Sequence, residues 1–241
     1  RVKPGKHVFD RDMYLAGEDR DRASDVNAAF ADDDVDAIFT LRGGYGTQRI
    51  LPYLDYDMIA RNPKVVTGSS DITGLLIALF EKTGLVGFHG PAAGCNYSDY
   101  ALQEFQKVLW NPTAQTPIGT APPIETRAGR VENRNRLTRF AGGVARGRLI
   151  GGNLTLVSTL MGTPYEPVFK DRVVFLEDVT EAPYRIDRML TQLWLAGKLQ
   201  EAAGIAFGKF TRTDDDGNTF SIEEVIRHRC ASLGIPVVGG L

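Results

Sequence analysis

The sequence lacks the features of a zinc-binding, disulfide-linked or membrane-spanning protein. Its 241 residues contain only two cysteines, Cys95 and Cys230, and neither belongs to a C-x-x-C pair. None of the three histidines is spaced i,i+4 from another, so we expect no metal site. No apolar run reaches 18 residues, so no membrane-spanning helix is expected. Free thiols are the simplest interpretation of the cysteines, and their spacing leaves a disulfide open.

The sequence also lacks a charge imbalance. The net charge is -2 and there is no long basic run, which argues against nucleic acid or an anionic membrane as a partner. The hydrophobic fraction of 43% and charged fraction of 24% are ordinary for a soluble globular protein. The length suits one large domain or two small ones.

Hydrophobic patterns predict alternating strands and helices. Strands are predicted at 35–41, 64–68 and 85–90. A helix carrying Ile72, Leu75, Leu76, Leu79 and Phe80 at helical spacing separates the last two, and Gly84 suits its C-terminal cap. Later in the chain the pattern predicts helices at 153–161, 183–196 and 221–232, and strands at 172–178, 204–210 and 235–238. The side chains of helix 183–196 that are predicted to point inward are Ile186, Met189, Leu190, Leu193 and Trp194. This alternation predicts an α/β fold with a parallel sheet.

The composition divides the chain into two domains. We predict an N-terminal α/β domain over 1–112 and a C-terminal domain over 145–241. The segment 113–144, rich in Pro, Thr, Gly and Arg, is predicted to be a linker and domain edge. Arg1 is not an initiator Met and Leu241 directly follows a predicted strand, so we expect both ends to be cut. An export signal ahead of Arg1 therefore stays open.

The stretch "VVTGSSDITGLLIALF" passes from a strand directly into a helix. Such a sharp turn can hold the Ser70 hydroxyl exposed on a rigid scaffold, although the motif is not G-x-S-x-G. The backbone N–H of Asp71, at the start of the helix, would then face a developing oxyanion. The alternative is that Ser69, Ser70, Asp71 or Thr73 only caps the helix.

A second candidate site follows the first predicted strand, at "LRGGYG". Its adjacent glycines let a backbone approach a ligand closely, and Arg42 can offer a fork of N–H donors to a carboxylate. Ligands of open α/β sheets bind at the carboxyl ends of strands. The pattern does not fit G-x-G-x-x-G, so a dinucleotide site is not indicated. A tight turn beside a surface arginine is the alternative.

Two further places carry titratable groups. Glu177 and Asp178 end an apolar strand, where a carboxylate must be paired or hydrogen-bonded. They could orient a catalytic histidine or only join a network of ion pairs. His89, in "FHGPAAG", could act as a general base or be a structural histidine beside a turn.

Four segments, in this order, resemble the LD-carboxypeptidase family of serine peptidases. They are "LRGGYGTQRILPYLD", "GSSDITGLLIALFEKTGLVGFHGP", "GRLIGGNLTLVSTLMGTPYEP" and "VVFLEDVTEAPYRIDRMLTQL", and they cover about residues 35–210. The resemblance implies a Rossmann-like or flavodoxin-like N-terminal domain and a smaller, barrel-like C-terminal α/β domain. It implies no cofactor, a cytoplasmic role in peptidoglycan recycling and, often, a homodimer.

The resemblance also implies a Ser-His-Glu triad. Its serine falls on Ser70 and its glutamate on Glu177, preferred over Glu181 because a strand end fixes a carboxylate better than a loop. The implied oxyanion donors are the backbone N–H groups of Asp71 and Gly44, and Arg42 would bind the substrate. The family's histidine is expected beyond Leu241, and the first strand of the N-terminal domain is expected to be missing. A chain ending at Leu241 should therefore be a poor catalyst, because a serine without its base is a weak nucleophile.

Three functions follow from these expectations. The first is a carboxypeptidase that releases terminal D-alanine from a murein tetrapeptide. The second is a hydrolase of the same family that cleaves the peptide-nucleotide antibiotic microcin C, for which Tyr97, Tyr100 and Trp110 could provide stacking surfaces. The third is a protein that binds peptidoglycan fragments without turnover.

Overall fold

The chain forms two α/β units, each built on its own sheet. The computed structural model describes residues 1–110, 112–113, 116–117, 136–213 and 220–241. One unit comprises Arg1–Cys95 and Thr159–Pro167, and the other comprises Asn96–Ser158 and Val168–Leu241. The predicted α/β class is confirmed. Most of the predicted linker lies outside the described residues, and the predicted domain boundaries stay predictions. No helix among the described residues has the length and apolarity needed to cross a membrane.

The first unit contains a three-stranded parallel sheet in the order β1-β2-β3. Its elements are α1 (Asp19–Ala31), β1 (Ala37–Phe39), α2 (Thr47–Ile50), α3 (Tyr56–Arg61), β2 (Val65–Gly68), α4 (Thr73–Thr83) and β3 (Phe88–His89).

Helix α4 is the central helix of this unit. Every residue from Thr73 to Leu79 is buried, so the first two turns of the helix are enclosed on all sides and not only on the predicted face. It ends as predicted at Gly84, whose φ of 76° is in the left-handed region that suits a C-terminal cap. A buried helix directly behind β2 gives the turn between them a rigid base.

The second unit contains a five-stranded sheet in the order β4-β8-β7-β6-β5. All neighbouring strands run parallel except β4, which pairs antiparallel with β8. Its elements are α5 (Asp99–Leu109), β4 (Thr138–Ala141), β5 (Leu149–Asn153), α6 (Leu154–Thr159), β6 (Val173–Val179), α7 (Pro183–Leu195), α8 (Lys198–Glu201), β7 (Gly204–Thr211), α9 (Ile222–Cys230) and β8 (Val237–Gly239).

Helix α7 packs its apolar face inward, with one exception. Ile186, Leu190 and Leu193 are fully buried, as their spacing predicts. Trp194 was expected to point inward as well, and this was wrong, since it is 43% exposed. At 100° per residue Trp194 lies at the edge of the face centred on Ile186 and Leu190, where a large ring stays partly in solvent.

Candidate active site

Ser70 lies at a strand-to-helix turn with an unusual backbone conformation. β2 ends at Gly68, and a 3-10 turn over Ser70–Ile72 leads directly into α4. Ser70 is half-buried and has a φ of 59°, a region that residues with a Cβ rarely adopt. Such strain persists only where the surrounding structure imposes it, and it is concentrated at functional sites.

The capping alternative for this turn is not supported by its hydrogen bonds. Neither the 3-10 turn, with Ser69 at its N-cap, nor α4, with Ile72 at its N-cap, has a side-chain cap. The buried carboxylate of Asp71 instead accepts hydrogen bonds from the backbone N–H of Thr47 at 2.8 Å and from its hydroxyl at 2.6 Å. The residue after Ser70 therefore ties the serine turn to the start of α2.

The turn Arg42–Gly46, which we call the RGG turn, packs against Ser70. A Cβ at Gly43 would lie 2.9 Å from the Cβ of Ser70 and 3.3 Å from its Oγ, so only glycine allows this approach. The guanidinium of Arg42 folds back over the next glycine, with Nη2 3.5 Å from where a Gly44 Cβ would be. The first unit thus brings together Ser70, Asp71, Gly44 and Arg42, four of the five predicted site residues.

The RGG turn is also joined to the segment after β3. The N–H groups of Ala93 and Gly94 donate to the carbonyls of Thr40 and Leu41, at 2.8 and 2.9 Å. The carboxyl ends of β1, β2 and β3 are therefore linked by short connections around Ser70. This edge of a parallel sheet is where α/β proteins bind ligands.

His89 lies at the same edge, one strand away from the serine turn. It is the register partner of Gly68 in the neighbouring strand. Desolvation by the surrounding protein lowers the pKa of His89 from its ordinary value. A lowered pKa favours the neutral form of the ring, and both roles left open by the sequence stay predictions.

Glu177, the fifth predicted residue, belongs to the second unit and is near the end of β6. Its side chain faces a β-bulge in β7. The bulge arises because β7 has one more residue than β6 between the paired residues Leu176–Phe207 and Asp178–Phe210. Gly208 lies in this bulge, where a Cβ would come within 2.9 Å of the Glu177 Cβ. The pKa of Glu177 is raised to about 7, mainly by desolvation and to a smaller extent by the charge of Asp178. A hydrogen bond with Asn153 lowers the pKa and offsets part of this rise.

Asp178 has a structural role that separates it from Glu177. Its buried carboxylate accepts hydrogen bonds from the Asn153 side chain at 2.8 Å and from the N–H and hydroxyl of Thr155 at 2.9 and 2.8 Å. It thereby fixes the junction between β5 and α6. Glu181, the alternative to Glu177, lies in the loop after β6 and forms an ion pair with Arg185 at 3.5 Å.

Two polar residues at these sites were not singled out in the sequence. Thr47 directly follows the RGG turn, and Asn153 follows two glycines at the end of β5. A polar residue between a glycine-rich strand end and a helix was the available signal. Each gains its importance from a partner 24 or 25 residues away, Asp71 for Thr47 and Asp178 for Asn153.

Folding also brings together three side chains of the types that can bind a metal ion, which the histidine spacing does not indicate. Among the described residues, His7, Asp10 and Asp21 have ligand atoms within 4.8 Å of one another. The Nδ1 atom of His7 is hydrogen-bonded to Oδ2 of Asp10 at 2.7 Å. Its Nε2 atom lies 3.8 Å from Oδ1 of Asp21. Asp21 comes from α1, so only folding brings it to His7.

Both cysteines are free thiols, which decides the question that their spacing left open.

Family models match both parts of the chain. The model of the LD-carboxypeptidase N-terminal domain matches residues 1–90, and that of the LD-carboxypeptidase C-terminal domain matches residues 146–241. The chain belongs to the LD-carboxypeptidase family. The predicted resemblance is therefore confirmed, whereas the catalytic roles of individual residues stay predictions.

Named relatives of this family cover nearly the whole chain. A probable murein peptide carboxypeptidase of Bacillus subtilis is 37% identical over all of this chain and 73% of its own length. The murein tetrapeptide carboxypeptidase of Pseudomonas aeruginosa is 32% identical over 97% of this chain and 75% of its own. The solved structure of MccF in complex with glutamyl sulfamoyl guanosine superposes with a TM-score of 0.84, at 28% identity, over 98% of this chain and 76% of its own.

Proposed function

We propose that this protein is a serine LD-carboxypeptidase that releases the terminal D-alanine of a murein tetrapeptide. The observation that supports this most strongly is Ser70, held at a φ of 59° with the RGG turn against its side chain, inside a match to the family's N-terminal domain. Relatives named as murein peptide and murein tetrapeptide carboxypeptidases support the substrate class.

The proposed reaction begins at the Ser70 hydroxyl. Oγ attacks the carbonyl carbon of the amide that joins an L-centre to the terminal D-alanine, and a histidine accepts the hydroxyl proton. By the family resemblance, Glu177 holds this histidine in the required tautomer. The backbone N–H groups of Asp71 and Gly44 stabilise the oxyanion.

The tetrahedral intermediate then breaks at its C–N bond. The histidine returns the proton to the leaving nitrogen, and D-alanine departs while the remaining peptide stays esterified to Ser70. Water, activated by the same histidine, hydrolyses this ester and restores the serine. We propose that Arg42 binds the carboxylate of the terminal D-alanine, since the residue is exposed and its guanidinium lies over Gly44, a proposed oxyanion donor.

The test uses mass spectrometry to measure how fast the full-length gene product releases D-alanine from murein tetrapeptide. Ser70→Ala is expected to lower the rate by at least about 1,000-fold, because the nucleophile is removed. Ser69→Ala is the matched control, since its hydroxyl is one residue away and makes no capping bond. Normal release by Ser70→Ala would disprove the assignment of the nucleophile.

A second candidate function, hydrolysis of a peptide-nucleotide conjugate, has one supporting observation besides the likeness to MccF. The rings of Tyr97, Phe105 and Trp110 form a cluster, with centroids 5.9 and 5.6 Å apart, and Trp110 is 62% exposed. An exposed indole offers a stacking surface for a nucleobase. Rates on murein tetrapeptide and on an aspartyl sulfamoyl adenosine, measured side by side, separate the two functions.

Cellular role and assembly are proposed from the family resemblance alone. We propose that the reaction serves peptidoglycan recycling in the cytoplasm and that the protein forms a homodimer. Fractionation of cells and light scattering of the full-length protein test these two points independently of the chemistry.

Binding of murein tetrapeptide without release of D-alanine would instead support the third function, a binding protein.

A further inference from the structure

A network of three charged side chains lies behind the RGG turn. The carboxylate of Asp19, the first residue of α1, forms an ion pair with Arg22 one turn later. It also accepts from Arg49 of α2, with both Oδ atoms 2.9 Å from Nε and Nη2 at 2.8 Å. Asp19 and Arg22 are largely shielded, with side chains 21% and 15% exposed. The network is therefore more than a mobile surface ion pair.

Arg22 connects this network to the backbone of the RGG turn. Its Nη1 donates to the carbonyl of Gly46 at 3.0 Å, and its Nε donates to the carbonyl of Gly17 at 3.3 Å. Gly46 has a φ of 122°, and a Cβ there would lie 2.9 Å from Arg22 Nη1. The guanidinium thus fills the space of a side chain and holds a conformation that only glycine adopts readily.

The other charged groups hold the residues on either side of Gly46. Arg49 has an electrostatic interaction with the side chain of Tyr45. Asp71 binds the N–H and hydroxyl of Thr47. Consecutive residues 46 and 47 are therefore each held by a charged side chain, and the proposed oxyanion donor Gly44 lies two residues before Gly46.

We propose that Arg22, held in place by Asp19, is a positioning residue that fixes the RGG turn so that the Gly44 N–H is preorganised for the oxyanion. The inference rests on the proposed function. Oxyanion donors are effective because their orientation is set before the reaction, and a donor that moves must be reordered in each transition state. Loss of the restraint should therefore slow the chemical step more than it weakens substrate binding.

The test compares Arg22→Lys with Arg20→Lys in the full-length gene product. Lysine keeps the charge beside Asp19 but cannot donate to the carbonyls of Gly17 and Gly46 through one planar fork. Arg20 is on the same helix, is exposed and lies over the ring of Tyr53 at 4.5 Å, so it controls for loss of an arginine from α1. The measurements are kcat and KM for D-alanine release, the melting temperature and hydrogen exchange of the peptide 41–50.

We expect Arg22→Lys to lower kcat by about 10- to 100-fold, the range for a slightly displaced catalytic group, with KM changed less than about threefold. Its melting temperature should stay near that of Arg20→Lys, and exchange should rise within 41–50. The proposal would be overturned if kcat of Arg22→Lys lay within twofold of that of Arg20→Lys. It would also be overturned if the loss of kcat were accompanied by a lowered melting temperature.

Failure of the proposed function can be told apart from failure of this inference. If the unmutated protein releases no D-alanine, the proposed function is wrong. The role of Arg22 in fixing the turn is then tested by hydrogen exchange alone. Faster exchange confined to 41–50 in Arg22→Lys would uphold its role in fixing the turn. Unchanged exchange would overturn it.

Discussion

At the scale of single residues, the serine turn shows how a backbone conformation and a side chain can be selected together. Ser70 has a φ of 59°, whereas Ser69 is extended, with a φ of -135°. A side chain in the left-handed region costs roughly 1–2 kcal/mol, so a glycine would be more stable at position 70. The presence of a serine there instead is expected where the hydroxyl is needed.

This cost predicts opposite outcomes at two adjacent serines. Ser70→Gly should unfold at a temperature about 1–3 °C above Ser70→Ala, because glycine relieves the strained φ by more than its extra chain entropy costs. At Ser69 the order should reverse, with the glycine variant less stable than the alanine variant. Thermal unfolding of the four proteins checks this, and a Ser70→Ala variant at least as stable as Ser70→Gly would show that Ser70 is unstrained.

At the scale of elements, the end of β6 separates two adjacent carboxylates by their surroundings. Asp178 is fully satisfied by Asn153 and Thr155, whereas Glu177 faces the bulge at Gly208 and has its pKa raised to about 7 by desolvation. In the folded chain Glu177 therefore binds its proton more tightly than in the unfolded chain, where the ordinary value is 4.5.

A raised carboxyl pKa makes stability fall as the pH rises. Between about pH 4.5 and pH 7 the folded chain keeps a proton that the unfolded chain releases, so the free energy of unfolding decreases across this window. Glu177→Gln removes this loss. Its melting temperature relative to the unmutated chain should therefore rise between pH 5 and pH 8, by on the order of a few °C.

The matched control for this prediction is Glu181→Gln, which changes a partly buried carboxylate that is paired with Arg185. Melting curves at half-unit pH intervals give the comparison. A difference between Glu177→Gln and the unmutated chain that stays constant from pH 5 to pH 8 would contradict the raised pKa.

At the scale of the whole molecule, burial gives the two cysteines different chemistry. Cys95 is exposed, whereas Cys230, at the end of α9, is fully buried and its pKa is raised to about 12 by desolvation. Thiol reagents attack the thiolate, so a buried, protonated thiol is inert. The folded chain therefore offers one reactive thiol out of two.

Titration with a disulfide reagent at pH 8 should consume one thiol per folded chain at once. The second should react only after denaturant unfolds the chain. Cys95→Ser should abolish the fast reaction and leave the slow one. Rapid reaction of both thiols would show that the unit around α9 opens readily, and no reaction in denaturant would indicate a disulfide.

The sequence by itself determined the order of elements and the family. The spacing of apolar residues located α4 and α7, Gly84 located the end of α4, and four motifs identified the LD-carboxypeptidases. These features depend on residues within a turn or two of each other, which the sequence records directly. Trp194, at the edge of its helical face, marks where such periodicity stops being decisive.

Only the tertiary structure decided the geometry around Ser70 and Glu177. The φ of Ser70, the approach of Gly43 to its side chain, and the bond from Arg22 to Gly46, 24 residues later, follow from how separate elements pack. The pKa of Glu177 follows from burial beside a bulge in another strand. Local propensity carries no information on such contacts, because they arise only when distant segments exclude water together.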